Sequence, residues 1–399
     1  MPFAGLKNLL IPCLLIAILL LLLAYCVDRR SAFYSGRVDK EISGDRFHAI
    51  DGLRGFLAIF VLYHHAVISY FYYATGQWVP PPSRLATLFG QGSVAMFFMI
   101  TALLFWHRAL ASNGRIDLNQ FYSSRIRRML PMYMVASGLV VLTALAFTHF
   151  RLNHSPMQLI RDASTWLLFT FLGTPDVNGF PQTGLINTVF WSLVYEWKFY
   201  FLFPLLMFFA RGWLSFLLLA VTAMLIHWYS SSNIEWYFVY GGLAATLIFK
   251  LQTLKKVCSG KIGSAAILLS LGAIMWLAPT AYSEKTAPLF FIPFLLIASG
   301  NSMFGLLTSR PARLLGTISY SFYLLHNFVL YLVFRAVNHL TDVSSLSVST
   351  YWFITSVIAV LTFGISAVTY RYIEFPFLNL KLPTSRSVVN DSVEFAPHT

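Results

Sequence analysis

Roughly eleven apolar segments, all but the short seventh about 17–25 residues and so long enough to cross a ~30 Å hydrocarbon core, constrain this chain more than any other feature. They run approximately over 8–26, 54–73, 88–106, 130–149, 189–209, 213–229, 235–249, 264–282, 288–307, 317–334 and 350–370. Backbone polar groups inside a bilayer must bond within their own segment, so continuous runs of this kind form helices. The expected fold is therefore all-α, a polytopic membrane helix bundle of about eleven transmembrane helices. Hydrophobic residues make up 57% and charged residues 11% of the 399, too apolar for a soluble domain of that length.

The basic residues set an orientation. With the 27–53 loop inside, alternating spans leave only Lys7, Arg84, Arg151, Arg161, Lys285 and Arg335 outside and Lys198 within a span; every other Lys and Arg falls inside. That bias is what the positive-inside rule requires. It places the C-terminus in the cytoplasm and, with an extra first span, the N-terminus outside. The net charge of +13 thus reports orientation and contact with anionic membrane lipids, and no basic stretch on a soluble domain points to nucleic acid. Residues 1–45 read as an uncleaved membrane anchor with a basic cytoplasmic linker, 46–380 as the transmembrane domain and 381–399 as a polar cytoplasmic tail. Cys13, Cys26 and Cys258 lie in or beside different apolar segments without paired spacing, so neither a disulfide frame nor a metal site is expected.

The polar residues inside the spans carry the chemistry. A helix advances 100° per residue, which brings Arg54 and His65 to within about 20° of one face and roughly 16 Å apart along the axis, while His64 swings about 80° away. Intramembrane ionisable groups are costly when idle. A fixed cation near the surface and a titratable imidazole three turns deeper suit a substrate with an anionic head and a reactive far end. Ser192, Glu196 and Tyr200 recur at every fourth position and form a polar stripe on an apolar helix; Lys198 points elsewhere. Arg125 and Arg128 belong to the run 121–131, from Phe121 to Pro131, either an inside anchor or a clamp for phosphate oxygens. Ser319, Tyr323 and His326 share a face of a later helix, and Glu374 ends the last span. His326 and Glu374 serve equally well as packing and hydrogen-bonding devices or as functional groups.

Taken in order, Asp51-Gly52-Leu53-Arg54-Gly55 with His65, Phe97-Phe98, Arg125-Ile126-Arg127-Arg128 with Pro131, Trp191-Ser192-Leu193 with Glu196, Phe199-Tyr200 and Pro204, Ile318-Ser319-Tyr320 with Tyr323-Leu324 and His326, and Glu374 with Pro376 resemble the acyltransferase-3 family. The resemblance covers about 46–380 and implies a ten-helix core, to which the segment at 8–26 adds an anchor. It implies a multispan enzyme of a bacterial inner membrane that moves an acyl group, acetyl first among them, from cytoplasmic acyl-CoA to a hydroxyl of a surface glycan or lipid-linked saccharide. The family's spaced arginine and histidine match Arg54 and His65. His65 is then the expected general base or acyl carrier, Glu196 the residue that orients it, stabilises its cation or binds the acceptor, and Arg54, Arg125 and Arg128 the CoA clamp. Asp51, Ser192, Tyr200, Tyr323 and His326 are supporting residues, with no metal and no resident cofactor.

Two departures stand out. Thr101-Ala102-Leu103 replaces the family's Ser-Gly-Phe, adding a methyl group where backbones pack closely. Some members carry an extracellular esterase-like domain; without one, the chain is expected to deliver acyl groups itself or to hand them to a separate extracytoplasmic transfer protein. The rival reading is a multispan, proton-coupled transporter, which intramembrane His and Glu also suit, although no internal repeat is visible. A third is a non-catalytic membrane member of a glycan-assembly complex.

Overall fold

In the computed structural model, which describes residues 6–44, 47–251 and 253–380, every regular element is helical. The polar tail expected over 381–399 lies outside the described residues. The first helix, α1 (Leu6–Arg30), sits at the edge, with only 22% of its most apolar stretch buried against protein. Its inward residues Leu9, Cys13, Ile16, Leu20 and Ala24 fall at helical spacing on one stripe, and the opposite face is left for lipid. The short α2 (Ala32–Ser43) follows it. Both are tied to the bundle by Arg310, which donates to both carboxylate oxygens of Asp28 at 2.7 and 3.0 Å and to Asp39 at 2.6 Å.

At the centre stand α3 (His48–Thr75) and α4 (Arg84–Ala111), whose most apolar stretches are 78% and 72% buried. Around them pack α5 (Leu118–Phe147), α6 (Pro156–Leu167), the single turn α7 (Thr183–Ile186) and α8 (Trp191–Leu206). Next come α9 (Leu214–Tyr229), α10 (Trp236–Lys250), the short α11 (Thr253–Cys258), α12 (Lys261–Leu277) and α13 (Ala287–Ala298). The chain closes with α14 (Arg310–Thr317), α15 (Ser319–Leu340), α16 (Val348–Thr369), a π-helical turn over Tyr370–Glu374 and α17 (Phe375–Leu378).

Among the described residues, seven helices are by length and composition long and apolar enough to cross a membrane on their own. The apolar runs expected at 213–229, 235–249, 264–282 and 288–307 fold as helices of 16, 15, 17 and 12 residues. At 1.5 Å per residue these reach about 18–26 Å, short of a ~30 Å core. Two of the runs continue past a helix end in irregular chain, over 278–282 after α12 and 299–307 after α13.

Glycines set the closest crossing. A Cβ on Gly52 would lie 2.0 Å from the Leu307 carbonyl oxygen, and one on Gly316 would lie 1.8 Å from that of Asp51. Small residues of this kind let membrane helices approach backbone to backbone. The crossing holds the first turn of α3, with Asp51 and Arg54, against α14 and the start of α15. The departure at Ala102 is accommodated in the same way from the other side. Its methyl group packs on Gly241 of α10, where a Cβ would come within 2.8 Å of it.

Candidate active site

The site is built where α3 and α15 run side by side. His65 Nδ1 lies 2.8 Å from His326 Nε2, and His326 Nδ1 lies 2.8 Å from the Tyr323 carbonyl oxygen, one turn back on its own helix. A carbonyl only accepts, so His326 carries its proton on Nδ1 and offers a bare Nε2. His65 therefore donates from Nδ1, and its own Nε2 keeps the lone pair. That nitrogen faces the Thr188 hydroxyl at 3.4 Å. Thr188 belongs to the extended stretch before α8, which Asn187 pins to α15 by donating to the Leu324 carbonyl at 2.7 Å. His326 is fully buried and His65 nearly so.

His64 is used differently. Its Nδ1 donates to the Ala86 carbonyl at 2.8 Å, and its ring presses on Gly90, where a Cβ would come within 2.3 Å. The two adjacent histidines thus point to different neighbours, as their helical angles require. His64 joins α3 to α4, and His65 faces α15.

Toward the start of α3 a cavity of about 140 Å³ opens beside Arg54. Arg125 and Arg128 line it too, three residues apart on one face of α5. The Arg125 guanidinium lies 4.7 Å over the Phe105 ring, and that of Arg128 lies 5.8 Å from the Tyr320 ring. Among the described residues neither makes an ion pair. Arg127, on the far side of α5, instead donates to the backbone carbonyls of Ser123 and Leu380. The cluster therefore separates into two cavity-facing cations and one that ties down the chain.

The wall of the cavity is the polar stripe of α8. Glu196 accepts from the Tyr200 hydroxyl and, at 3.3 Å, from Thr101, which stands where the family has Ser. Ser192 closes the far end, its Oγ 2.7 Å from the Tyr323 hydroxyl, with the Phe97 ring packed edgewise on Tyr323 at 5.8 Å. Tyr323 stands one turn from His326, so the cavity stops one helical turn short of the imidazoles.

Of the sequence-predicted residues, Arg54, Arg125, Arg128, Ser192, Glu196, Tyr200 and Tyr323 meet around this cavity. His65 and His326 meet just beyond it. Asp51 lies in the first turn of α3, with its backbone against Gly316, and does not line the cavity. One expected contact is absent among the described residues: Glu196 does not hold the His65 ring, whose nitrogens bond to His326 and Thr188. Glu196 bonds along its own helix to Tyr200 and across to Thr101 of α4, and it lines the cavity while the imidazoles do not. Sequence reasoning missed Thr188 and Trp78; Trp78 stacks on the His65 imidazole at 6.2 Å and 21°. Both lie in irregular segments, where no periodicity marks them.

The family described as Acyltransferase domain matches residues 47–371. "O-acetyltransferase OatA" of Staphylococcus aureus is 24% identical over 381 residues, covering 85% of this chain and 58% of that protein. "Exopolysaccharide production protein ExoZ" of Rhizobium meliloti is 26% identical over 264 residues, covering 62% of this chain and 78% of that protein. The chain thus spans a little over half the length of the first of these relatives. No solved structure matches it.

Proposed function

Because this chain belongs to the acyltransferase-3 family, we propose that it is a multi-pass membrane O-acyltransferase that moves an acyl group, acetyl first among them, from acyl-CoA to a hydroxyl of a glycan or lipid-linked saccharide. The observation that carries the reading is the His65–His326 hydrogen bond, which leaves His65 Nε2 as a buried, oriented base. In this reading the Arg54 end of the bundle faces the cytoplasm of a bacterial inner membrane and the acceptor arrives from outside.

Arg54, Arg125 and Arg128 bind the CoA phosphates at the cavity mouth, as guanidinium forks do. The thioester enters along the Glu196 and Tyr200 wall, and the Ser192–Tyr323 contact opens to pass its carbonyl carbon. His65 Nε2 takes the proton of the acceptor hydroxyl as its oxygen attacks that carbon, since an unaided alcohol is too weak an acid to react. The C–S bond then breaks, and the leaving thiolate receives the proton back from His65. An ester and free CoA result. His326 fixes the ring orientation by accepting, at its Nε2, a hydrogen bond from His65 Nδ1 that strengthens as His65 becomes cationic. A variant route passes through an acyl group held on His65 Nε2 and then transferred. Thr101 and Tyr200 hold Glu196 as part of the cavity wall.

Radiolabelled acetyl-CoA supplied to the purified protein in proteoliposomes with a saccharide acceptor tests this directly. Label recovered in an ester on the saccharide or on the protein supports the transferase. Passage of unreacted acetyl-CoA or saccharide without ester formation identifies a transporter.

A further inference from the structure

Beyond His65 and His326, at the Thr75 end of the bundle, the same two helices diverge around a second opening. The cavity there is about 380 Å³, within the ~300–1,000 Å³ of small-molecule sites. Tyr72 and Tyr73 of α3 and Tyr331 of α15 line it, and the Phe180–Gln182 segment forms its rim. A small cavity of about 10 Å³ adjoins it, sharing Tyr72, Tyr73 and Tyr331 and lined also by Trp78 and Asn327. Trp78 touches both levels, stacking on His65 and meeting the Tyr72 ring edgewise at 5.8 Å.

Three observations fix the chemistry of what belongs here. The wall is aromatic but not greasy, for each tyrosine offers a ring face and a hydroxyl. Such faces are electron-rich and suit the weakly positive C–H bonds of a sugar ring. Asn327, next to His326 in the chain and buried, donates from Nδ2 to the Leu185 carbonyl at 3.3 Å, while its Oδ1 has no hydrogen-bond partner among the described residues. A buried acceptor in that state wants a donor, and a saccharide hydroxyl is one. Arg335 lies at the rim with its guanidinium carbon 4.3 Å over the Phe147 ring and an Nη1 donating to Tyr331 Oη at 3.4 Å. No carboxylate lines the groove, so the forked face of Arg335 is set to receive an anion from outside.

We propose that this groove is the acceptor subsite and that it selects an acidic saccharide, one bearing a carboxylate or phosphate a sugar unit away from the acylated hydroxyl. The sugar rings lie against Tyr72 and Tyr331, Asn327 Oδ1 accepts a hydrogen bond from a sugar hydroxyl, and Arg335 holds the anion. The donor cavity and the acceptor groove then approach the His65–His326 contact from opposite ends. This rests on the acyltransferase reading above and adds to it the charge class of the acceptor.

The test uses the full chain in lipid nanodiscs and measures binding of tetragalacturonic acid, a phosphorylated mannose oligosaccharide and neutral maltotetraose, with labelled acetyl-CoA in parallel. One or both acidic probes should bind at least tenfold more tightly than maltotetraose; which one identifies the anion. Arg335→Gln should erase that preference while leaving acetyl-CoA binding unchanged, which also reports an intact fold. Tyr72→Ala should weaken all three saccharides. Equal affinity for acidic and neutral probes, an acidic preference that survives Arg335→Gln, or no saccharide binding alongside normal acetyl-CoA binding overturns the proposal. Saccharide binding without any acetyl-CoA binding upholds the groove and removes the acyltransferase reading instead.

Discussion

The imidazoles of His65 and His326, 261 positions apart in the chain, meet nitrogen to nitrogen at 2.8 Å. Only one proton can lie between them, and the Tyr323 carbonyl decides whose it is. His326 therefore acts through His65, as an acceptor that fixes one tautomer and one ring plane.

Replacing His326 with Ala should lower kcat for acyl transfer by roughly 10²-fold, within the ~10²–10⁴-fold that a positioned base supplies, and leave the acyl-CoA KM near its parent value. His326→Gln, whose side-chain oxygen can still accept from His65 Nδ1, should recover part of the loss. Steady-state kinetics on the three proteins in the same membranes decides the point. A rise in KM with kcat unchanged would place His326 in substrate binding.

Arg125→Gln and Arg128→Gln should each raise the acyl-CoA KM about tenfold, the value of one phosphate contact of ~1.4 kcal/mol, with kcat at saturation nearly preserved. Phosphate contacts are common to ground and transition states, which is why KM responds first. Arg127→Gln, whose side chain bonds to backbone carbonyls on the other side of α5, should leave KM unchanged and serves as the internal control.

His64 belongs to packing. His64→Ala should keep most of the transfer activity while removing a ring that fills the space over Gly90. The expected cost is about 1–3 kcal/mol of stability, read as a lower melting temperature in detergent. Gly90→Ala should be worse, since its methyl group would lie 2.3 Å from that ring and rigid helices flank it.

The anchor helix is bolted on through ions. Arg310→Gln leaves the buried Asp28 carboxylate without its guanidinium, a loss on the order of 2 kcal/mol when discounted for the partly exposed arginine. Adding Asp28→Asn to Arg310→Gln should return much of that stability, because the stranded charge is gone. Thermal unfolding of the single and double variants checks this, and equal melting of the two would mean that the ion pair is not what holds α1.

The stripe Ser192, Glu196 and Tyr200 was legible because its spacing alone puts three polar groups on one helical face, and that face lines the cavity. The divergence of His64 from His65 followed from the same geometry. What each stripe meets was not legible, because a helical angle names a direction and not the neighbour waiting there. Glu196 finds Tyr200 and Thr101, and the partner of His65 comes from a helix more than two hundred residues on. Hydropathy marks an apolar run such as 288–307 but not where its helix ends, here after Ala298.

The most direct test of the account compares His65→Ala and His64→Ala in the same membranes, normalised for protein level, with transfer of label from radiolabelled acetyl-CoA as the readout and acetyl-CoA binding measured alongside. His65→Ala should lose transfer by ~10²–10⁴-fold with binding retained, and His64→Ala should keep substantial activity. Equal activity in the two variants, or an essential His64 beside a dispensable His65, would contradict the mechanism.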